Sequence, residues 1–231
     1  MPSLTLIIHI YYKGSWKLIC SRIGHLLNDA QLIVSGCYRE VLEEVDHKNA
    51  VLLRVPNKGK DIGGKMAALD FYLKHGRRTD YLAFVHDKIS PQTINAEYWL
   101  EELYSIFEPA RLQKALARLK EDPKCGVVGS KSFLKTEWDG KEFSGSNREL
   151  LPRLIERFNL QCSRYEFIAG TIFILRSIIF ESFFSTHPPL LLREELEPGN
   201  VLDLTGGTFT HCWERLFCFI AEDQGYRIKS I

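Results

Sequence analysis

The sequence predicts an α/β fold, a single domain with a mostly parallel central sheet flanked by helices, and three observations predict it. Short apolar runs rich in Val, Ile, Leu and aromatic residues alternate with segments whose apolar residues recur at helical spacing. A length of 231 residues suits one large α/β domain or two small ones, and no repeat, low-complexity tract or clear linker divides the chain. Hydrophobic residues make up 45% and charged residues 26%, enough apolar material for a sizeable core.

The elements follow in order. "LTLIIHIYY" (Leu4 to Tyr12) predicts a central parallel strand with one buried histidine. Ser15 is placed to cap the next helix, in which Leu18, Ile19, Ile23, Leu26 and Leu27 recur at helical spacing. Ala30 to Cys37 and Ala50 to Val55 predict the second and third strands. Asp61 is placed to cap a helix striped by Ile62, Met66, Leu69 and Leu73, and Tyr81 to Val85 predicts the fourth strand.

Glu97 to Phe107 predicts an aromatic-rich helix, whose Tyr98, Trp99, Tyr104 and Phe107 either pack in the core or form a surface for an acceptor, a partner or a membrane. Pro109 suits the first turn of another helix, striped by Leu112, Ala115, Leu116 and Leu119 and stopped by Asp122-Pro123. Cys125 to Ser130 predicts a buried strand, 131–146 a polar loop, and Asn147 to Phe158 a helix. Tyr165 to Arg176 predicts a strand with a glycine interruption, and "THPPLLLREELEPGN" a loop. "THCWERLFCFIAEDQGY" closes the chain with a helix striped by Trp213, Leu216, Phe217 and Ile220.

Thirty basic against twenty-nine acidic residues give a net charge of +1, which argues against a general polyanion binder and so against nucleic acid as a partner. The six cysteines show no CxxC pair or zinc-ligand spacing and read as reduced core thiols of a cytosolic protein. The N-terminus lacks the pattern of a signal peptide, and no apolar run approaches the roughly 20 residues that cross a bilayer. The expected location is the cytoplasm, with or without peripheral contact with a membrane.

Three polar clusters carry the chemistry. The fourth strand stops at His86-Asp87-Lys88, and in open α/β sheets ligands sit beyond the C-terminal strand ends where strand order reverses. Asp87 offers oxygen to a hard cation, His86 an imidazole nitrogen, and Lys88 a point charge for phosphate. Together they can hold a nucleotide diphosphate, with or without a metal; the plain alternative is a solvated strand end. In "NKGKDIGG", Gly59, Gly63 and Gly64 allow close backbone approach and the following helix N-terminus favours an anion. The segment matches neither common phosphate-binding glycine pattern, and Asp61 can simply cap the helix. In "HCWER", His211, Glu214 and Arg215 can share a helix face, with Glu214 either a general base or half of a pair that anchors the helix.

In this order, "PNKGKDIGG", "FVHDKIS", "FIAGTIFILR" and "HCWERLFCFIAEDQGY" resemble the rhamnan synthesis protein F family of bacterial polysaccharide glycosyltransferases, from Leu4 to Tyr226. That family is similar to transferases of the GT-A type. The resemblance implies one domain with a nucleotide-binding half (1–90) and a sugar- and acceptor-binding half (91–231). It implies transfer of a hexose-type sugar, plausibly rhamnose, from a nucleoside-diphosphate donor to a glycan acceptor, with inversion. Tyr11, Asn57, Lys58 and Asp61 would lie at the donor, with His86, Asp87 and Lys88 at its diphosphate and Gly170 and Thr171 at its sugar. Glu214 would be the base, Asp203 the reserve, and Arg215 or His211 would steady the diphosphate or orient the base.

GT-A strands usually end here in Asp-x-Asp, whereas His86 and Lys88 occupy the two aspartate places. One version keeps Mg²⁺ or Mn²⁺ on Asp87 and His86, favoured because two phosphates leave charge to compensate; the other replaces the metal with Lys88. The missing aspartate also motivates a reading from another class, a non-catalytic glycan-binding or scaffolding module with a transferase-like fold. A metal-dependent phosphohydrolase using His86, Asp87 and His211 lacks the dense ligand array such enzymes carry.

Overall fold

The structure, a computed structural model, describes residues 3–87, 96–202 and 206–231. Lys88 and Asp203, both singled out by sequence, lie outside the described residues. The chain runs β1 (Leu4–Ile10), α1 (Ser15–Leu27), β2 (Gln31–Gly36), α2 (Arg39–Leu42), β3 (Ala50–Arg54), α3 (Lys60–His75) and β4 (Tyr81–His86). It continues with α4 (Ala96–Tyr104), α5 (Pro109–Glu121), β5 (Cys125–Gly129), β6 (Leu134–Thr136), α6 (Leu150–Arg157), β7 (Glu166–Ile168) and β8 (Phe173–Arg176). It ends with α7 (Ser177–Thr186), α8 (Pro189–Arg193), α9 (Phe209–Asp223) and β9 (Arg227–Ser230).

Among the described residues, seven strands form one sheet in the order β3-β2-β1-β4-β8-β5-β9. Every neighbouring pair is parallel except those of β8, which runs antiparallel to both β4 and β5. This is the mostly parallel α/β sheet the sequence predicts. Every residue of β1 is buried, as a central strand covered on both faces requires. The chain steps outward from β1 to β2 and β3, then returns to place β4 on the other side of β1. The switch point therefore lies between β1 and β4, where His9 pairs in register with His86.

The first half follows the sequence closely; in the second, β6 and α8 form inside segments expected to be loops, and three larger departures stand beside them. Tyr165 to Arg176 is two strands in two sheets, because Gly170 (φ 81°) and Thr171 (φ 50°) turn the chain out of β7, which pairs with β6, and into β8. Ser177–Thr186 is an additional helix, whose buried Ile179, Phe180, Phe183 and Phe184 form one helical stripe. β9 completes the sheet edge through backbone pairing with β5, with Ile228 its one buried residue. In the aromatic helix, Tyr104 and Phe107 are core while Tyr98 is 65% exposed.

Both predicted caps are corrected. Gly14 and Gly59, each left-handed, precede α1 and α3, so Ser15 and Asp61 fall inside the first turn with their side chains used elsewhere. Gly63 and Gly64 serve packing. A Cβ on Gly63 would lie 1.7 Å from the Lys58 carbonyl oxygen, and one on Gly64 2.0 Å from the His9 ring. The start of α3 can therefore sit directly against β1.

Candidate active site

At the C-terminal end of β4 lies a polar recess of about 80 Å³. Lys60, Asp61 and Ile62 from the start of α3 line it, with His86 from β4, Gly170 and Thr171 from the β7–β8 turn, and Thr210, His211 and Glu214 from α9. Clusters more than a hundred residues apart in sequence thus meet in one place. The volume is below the roughly 300 Å³ at which clefts hold whole small ligands, so this is a recess for reacting atoms.

Its inner wall is organised by a residue the sequence reading missed. Lys65 is completely buried, with its ammonium 2.9 Å from Asp61 Oδ2, 2.9 Å from His86 Nδ1, 2.9 Å from the Thr171 carbonyl and 2.6 Å from Thr171 Oγ1. Thr171 Oγ1 in turn donates to Asp61 Oδ2 at 2.8 Å. An ammonium only donates, so His86 accepts through Nδ1 and carries its ring proton on Nε2. Thr171 is a β-branched residue at φ 50°, a costly conformation, and Lys65 holds it there by binding both its oxygens. A signal for Lys65 was present: it follows Ile62 by three residues and precedes Leu69 by four, which puts a cation on the apolar stripe of its helix.

Asp87 faces the other side of the switch point. Its Oδ2 accepts from the Tyr11 and Tyr12 backbone N–H groups at 2.7 and 2.8 Å and from the Ser15 hydroxyl, which ties the β1–α1 turn to the end of β4. Burial pushes its pKa from 3.8 up to about 6, against the opposing pull of those three hydrogen bonds. Below about pH 4 the carboxyl is neutral in both folded and unfolded chains. Between pH 4 and 6 the unfolded chain ionises first, so stability falls as pH rises, by about 3 kcal/mol in full. Denaturant titrations from pH 4 to 7 should therefore show a smaller decline for Asp87→Asn than for the wild type; parallel curves would refute this. The buried His9 is a different case: burial lowers its pKa to about 4, so it is a neutral core histidine at physiological pH.

Glu214 is held by both oxygens. Oε1 accepts from the Gly170 backbone N–H at 2.5 Å and Oε2 from Arg215 Nη1 at 2.5 Å. Arg215 also grips the Glu137 carboxylate through Nε and Nη2 and donates to the His211 carbonyl at 2.9 Å. Glu137 sits in the segment read as a polar loop, and nothing local in the sequence marks it. His211 Nδ1 lies 2.5 Å from Thr208 Oγ1, the side chain that caps α9.

A third group gathers beside the first. Tyr11 and Tyr38 share a hydrogen bond of 3.1 Å and an edge-on ring contact, and Asn57 Nδ2 donates to the Tyr11 hydroxyl and to Asn200 Oδ1. Asn57 Oδ1 is buried and has no hydrogen-bond partner. Lys58 is bound to the Glu194 carbonyl and carboxylate at 2.6 and 3.0 Å, and the lysine that lines the recess is Lys60.

Several of the atoms that could hold a divalent cation are already engaged by protein groups. Oδ2 of Asp87 already takes three hydrogen bonds, and His86 Nδ1 and Asp61 Oδ2 each lie 2.9 Å from an ammonium. Lys65 occupies the kind of oxygen- and nitrogen-lined position a cation would take.

No family model matches the chain, and no curated protein matches it, so the resemblance to the rhamnan synthesis protein F family rests on the motifs alone. Among solved structures the chain is similar to the apo form of WbbM, a bifunctional glycosyltransferase, with a TM-score of 0.44 and 13% sequence identity. The match covers 98% of this chain and 44% of that one. Among the described residues, no helix is long and apolar enough to cross a membrane.

Proposed function

We propose that the protein is a sugar-nucleotide-dependent glycosyltransferase of the hexosyltransferase type. On this reading it moves a sugar, rhamnose being the first to test, from a nucleoside-diphosphate donor to a glycan with inversion. The observation that supports it is the convergence at the C-terminal end of β4 of an oriented carboxylate, a helix N-terminus bearing Lys60, and the Gly170-Thr171 turn.

The acceptor hydroxyl gives its proton to Glu214 as its oxygen bonds to the anomeric carbon. The bond from that carbon to the diphosphate breaks, and the electron pair leaves with the diphosphate. A carboxylate has about four acceptor positions, so the Gly170 and Arg215 bonds fix the aim of Glu214 and leave room for the hydroxyl. Lys60 and the first-turn amides of α3 offset the leaving charge. Lys65 cancels Asp61 at the same helix end, so that carboxylate does not repel the diphosphate. Tyr11, Tyr38 and Asn57 take the nucleoside, through the tyrosine rings and the hydroxyl and amide groups that already bond one another. Lys88 adds a second cation, and Asp203 stays in reserve as base. The cationic charge thus comes from the protein rather than from Mg²⁺ or Mn²⁺.

A thermal-shift screen of nucleoside diphosphates and sugar nucleotides with Mg²⁺, with Mn²⁺ and with EDTA tests this. A donor at about 100 times its dissociation constant should stabilise the fold by roughly 2.7 kcal/mol, and EDTA should leave that gain intact. Stabilisation lost in EDTA would restore a metal on Asp87 and His86. Silence across the panel would favour the non-catalytic glycan-binding module.

A further inference from the structure

Apart from the recess, an open groove of about 710 Å³ runs beside α6. Trp138, Phe143 and Tyr165 line it as a mutually packed aromatic group, with ring centroids 4.9 to 5.1 Å apart. The group is seated on α9 through Tyr165 and Phe219, at 5.3 Å. Phe143 is buried, whereas Trp138 and Tyr165 remain half-buried and present ring surface to the groove.

The positioning of Tyr165 is costly. It stands at φ 52°, where an aromatic residue is strained, and the Glu222 carboxylate holds that turn by accepting from the backbone N–H groups of Ser163, Arg164 and Tyr165 at 2.7 to 2.9 Å. Around the rings the groove carries both signs of charge, from Lys141 and Arg148 to Glu149 and Glu156, with the Asn159 and Gln161 amides between them. Such a lining has no net attraction for a polyanion. It suits a neutral polyol chain, whose rings lay their C–H faces on aromatics while vicinal hydroxyls meet carboxylate, guanidinium and amide groups. The volume is within the roughly 300–1,000 Å³ of ligand clefts, room for several sugar rings.

A chain of side-chain contacts leads from the groove to the recess. Trp138 directly follows Glu137, whose carboxylate grips Arg215, and Arg215 holds Glu214. We infer that this groove binds an oligosaccharide stretch of the acceptor glycan, with rings on Trp138 and Tyr165, and delivers its end toward Glu214. The word acceptor rests on the transferase reading; the binding of a neutral glycan does not.

The test uses the whole chain, without nucleotide, and rhamno-, gluco- and galacto-oligosaccharides of three to five sugars, with binding followed by saturation-transfer NMR and tryptophan fluorescence. At least one should bind, and Trp138→Ala and Tyr165→Ala should each weaken it at least tenfold. Because either change can loosen the aromatic group, Arg148→Ala and Glu149→Ala, on an exposed stretch of the same groove, provide a second arm. They should weaken binding several-fold with an unchanged unfolding midpoint. Absence of binding across the panel, or binding indifferent to all four changes, would overturn the inference. Binding that survives while no sugar nucleotide stabilises the chain would uphold the groove and remove the transfer reaction.

Discussion

Lys65→Met is expected to destabilise the protein by about 3–5 kcal/mol, as removal of one partner from a buried ion pair does, and so to lower the unfolding midpoint by about 10 °C. The side chain is fully buried and methionine fills similar space, so the loss is electrostatic. Without the ammonium, Asp61 loses the buried cation beside it and keeps the hydrogen bond from Thr171, while His86 Nδ1 and the Thr171 carbonyl lose a donor. The same charge would then face any diphosphate at the start of α3, so stabilisation by sugar nucleotides should weaken as well. Asp61→Asn in the Lys65→Met background removes the stranded charge and should recover part of the stability. A double-mutant cycle on the two positions measures that coupling, and strictly additive losses would dismiss the pair as the organiser of the site.

Glu214→Gln is expected to lower the rate of transfer by about 10²–10⁴-fold, the usual contribution of a positioned base. Donor stabilisation should stay within a few-fold, because the groups proposed for the nucleoside and diphosphate stand at the start of α3 and beyond the ends of β1 and β4. Glutamine still accepts from Gly170, but its amide donors then face those of Arg215, which should cost about 1–3 kcal/mol of stability. Measuring turnover, donor stabilisation and the unfolding midpoint on the same variant separates the chemical loss from the structural one. Unchanged turnover would remove Glu214 from the mechanism.

The positions of β1, β2 and β4 and of α1 and α3 were legible because buried parallel strands are continuous apolar runs and the helices between them keep a clean stripe. The ends of those elements were less so. Ser15 and Asp61 have the chemistry of caps, yet each is drawn away by a partner from a distant segment, Asp87 in one case and Lys65 with Thr171 in the other. In the second half, α7 carries a helical stripe that the sequence reading passed over, and β9 exists through its backbone pairing with β5. The clusters around Asp61, His86, Gly170 and Glu214 were each visible as motifs; that they meet was implied by the family resemblance and by no local pattern.

By itself, then, the sequence determined the α/β class, the order of strands and helices in the first half, and which polar residues stand at element ends. These follow from local periodicity and composition, which act within a few residues. Tertiary structure alone decided that Lys65 is the internal cation, that Asp87 holds the β1–α1 turn, and that Glu137 reaches Arg215. Each of these depends on contacts between segments from 21 residues apart, Lys65 with His86, to 106 apart, Lys65 with Thr171, and the distance between such segments is set by sheet order rather than by any local pattern.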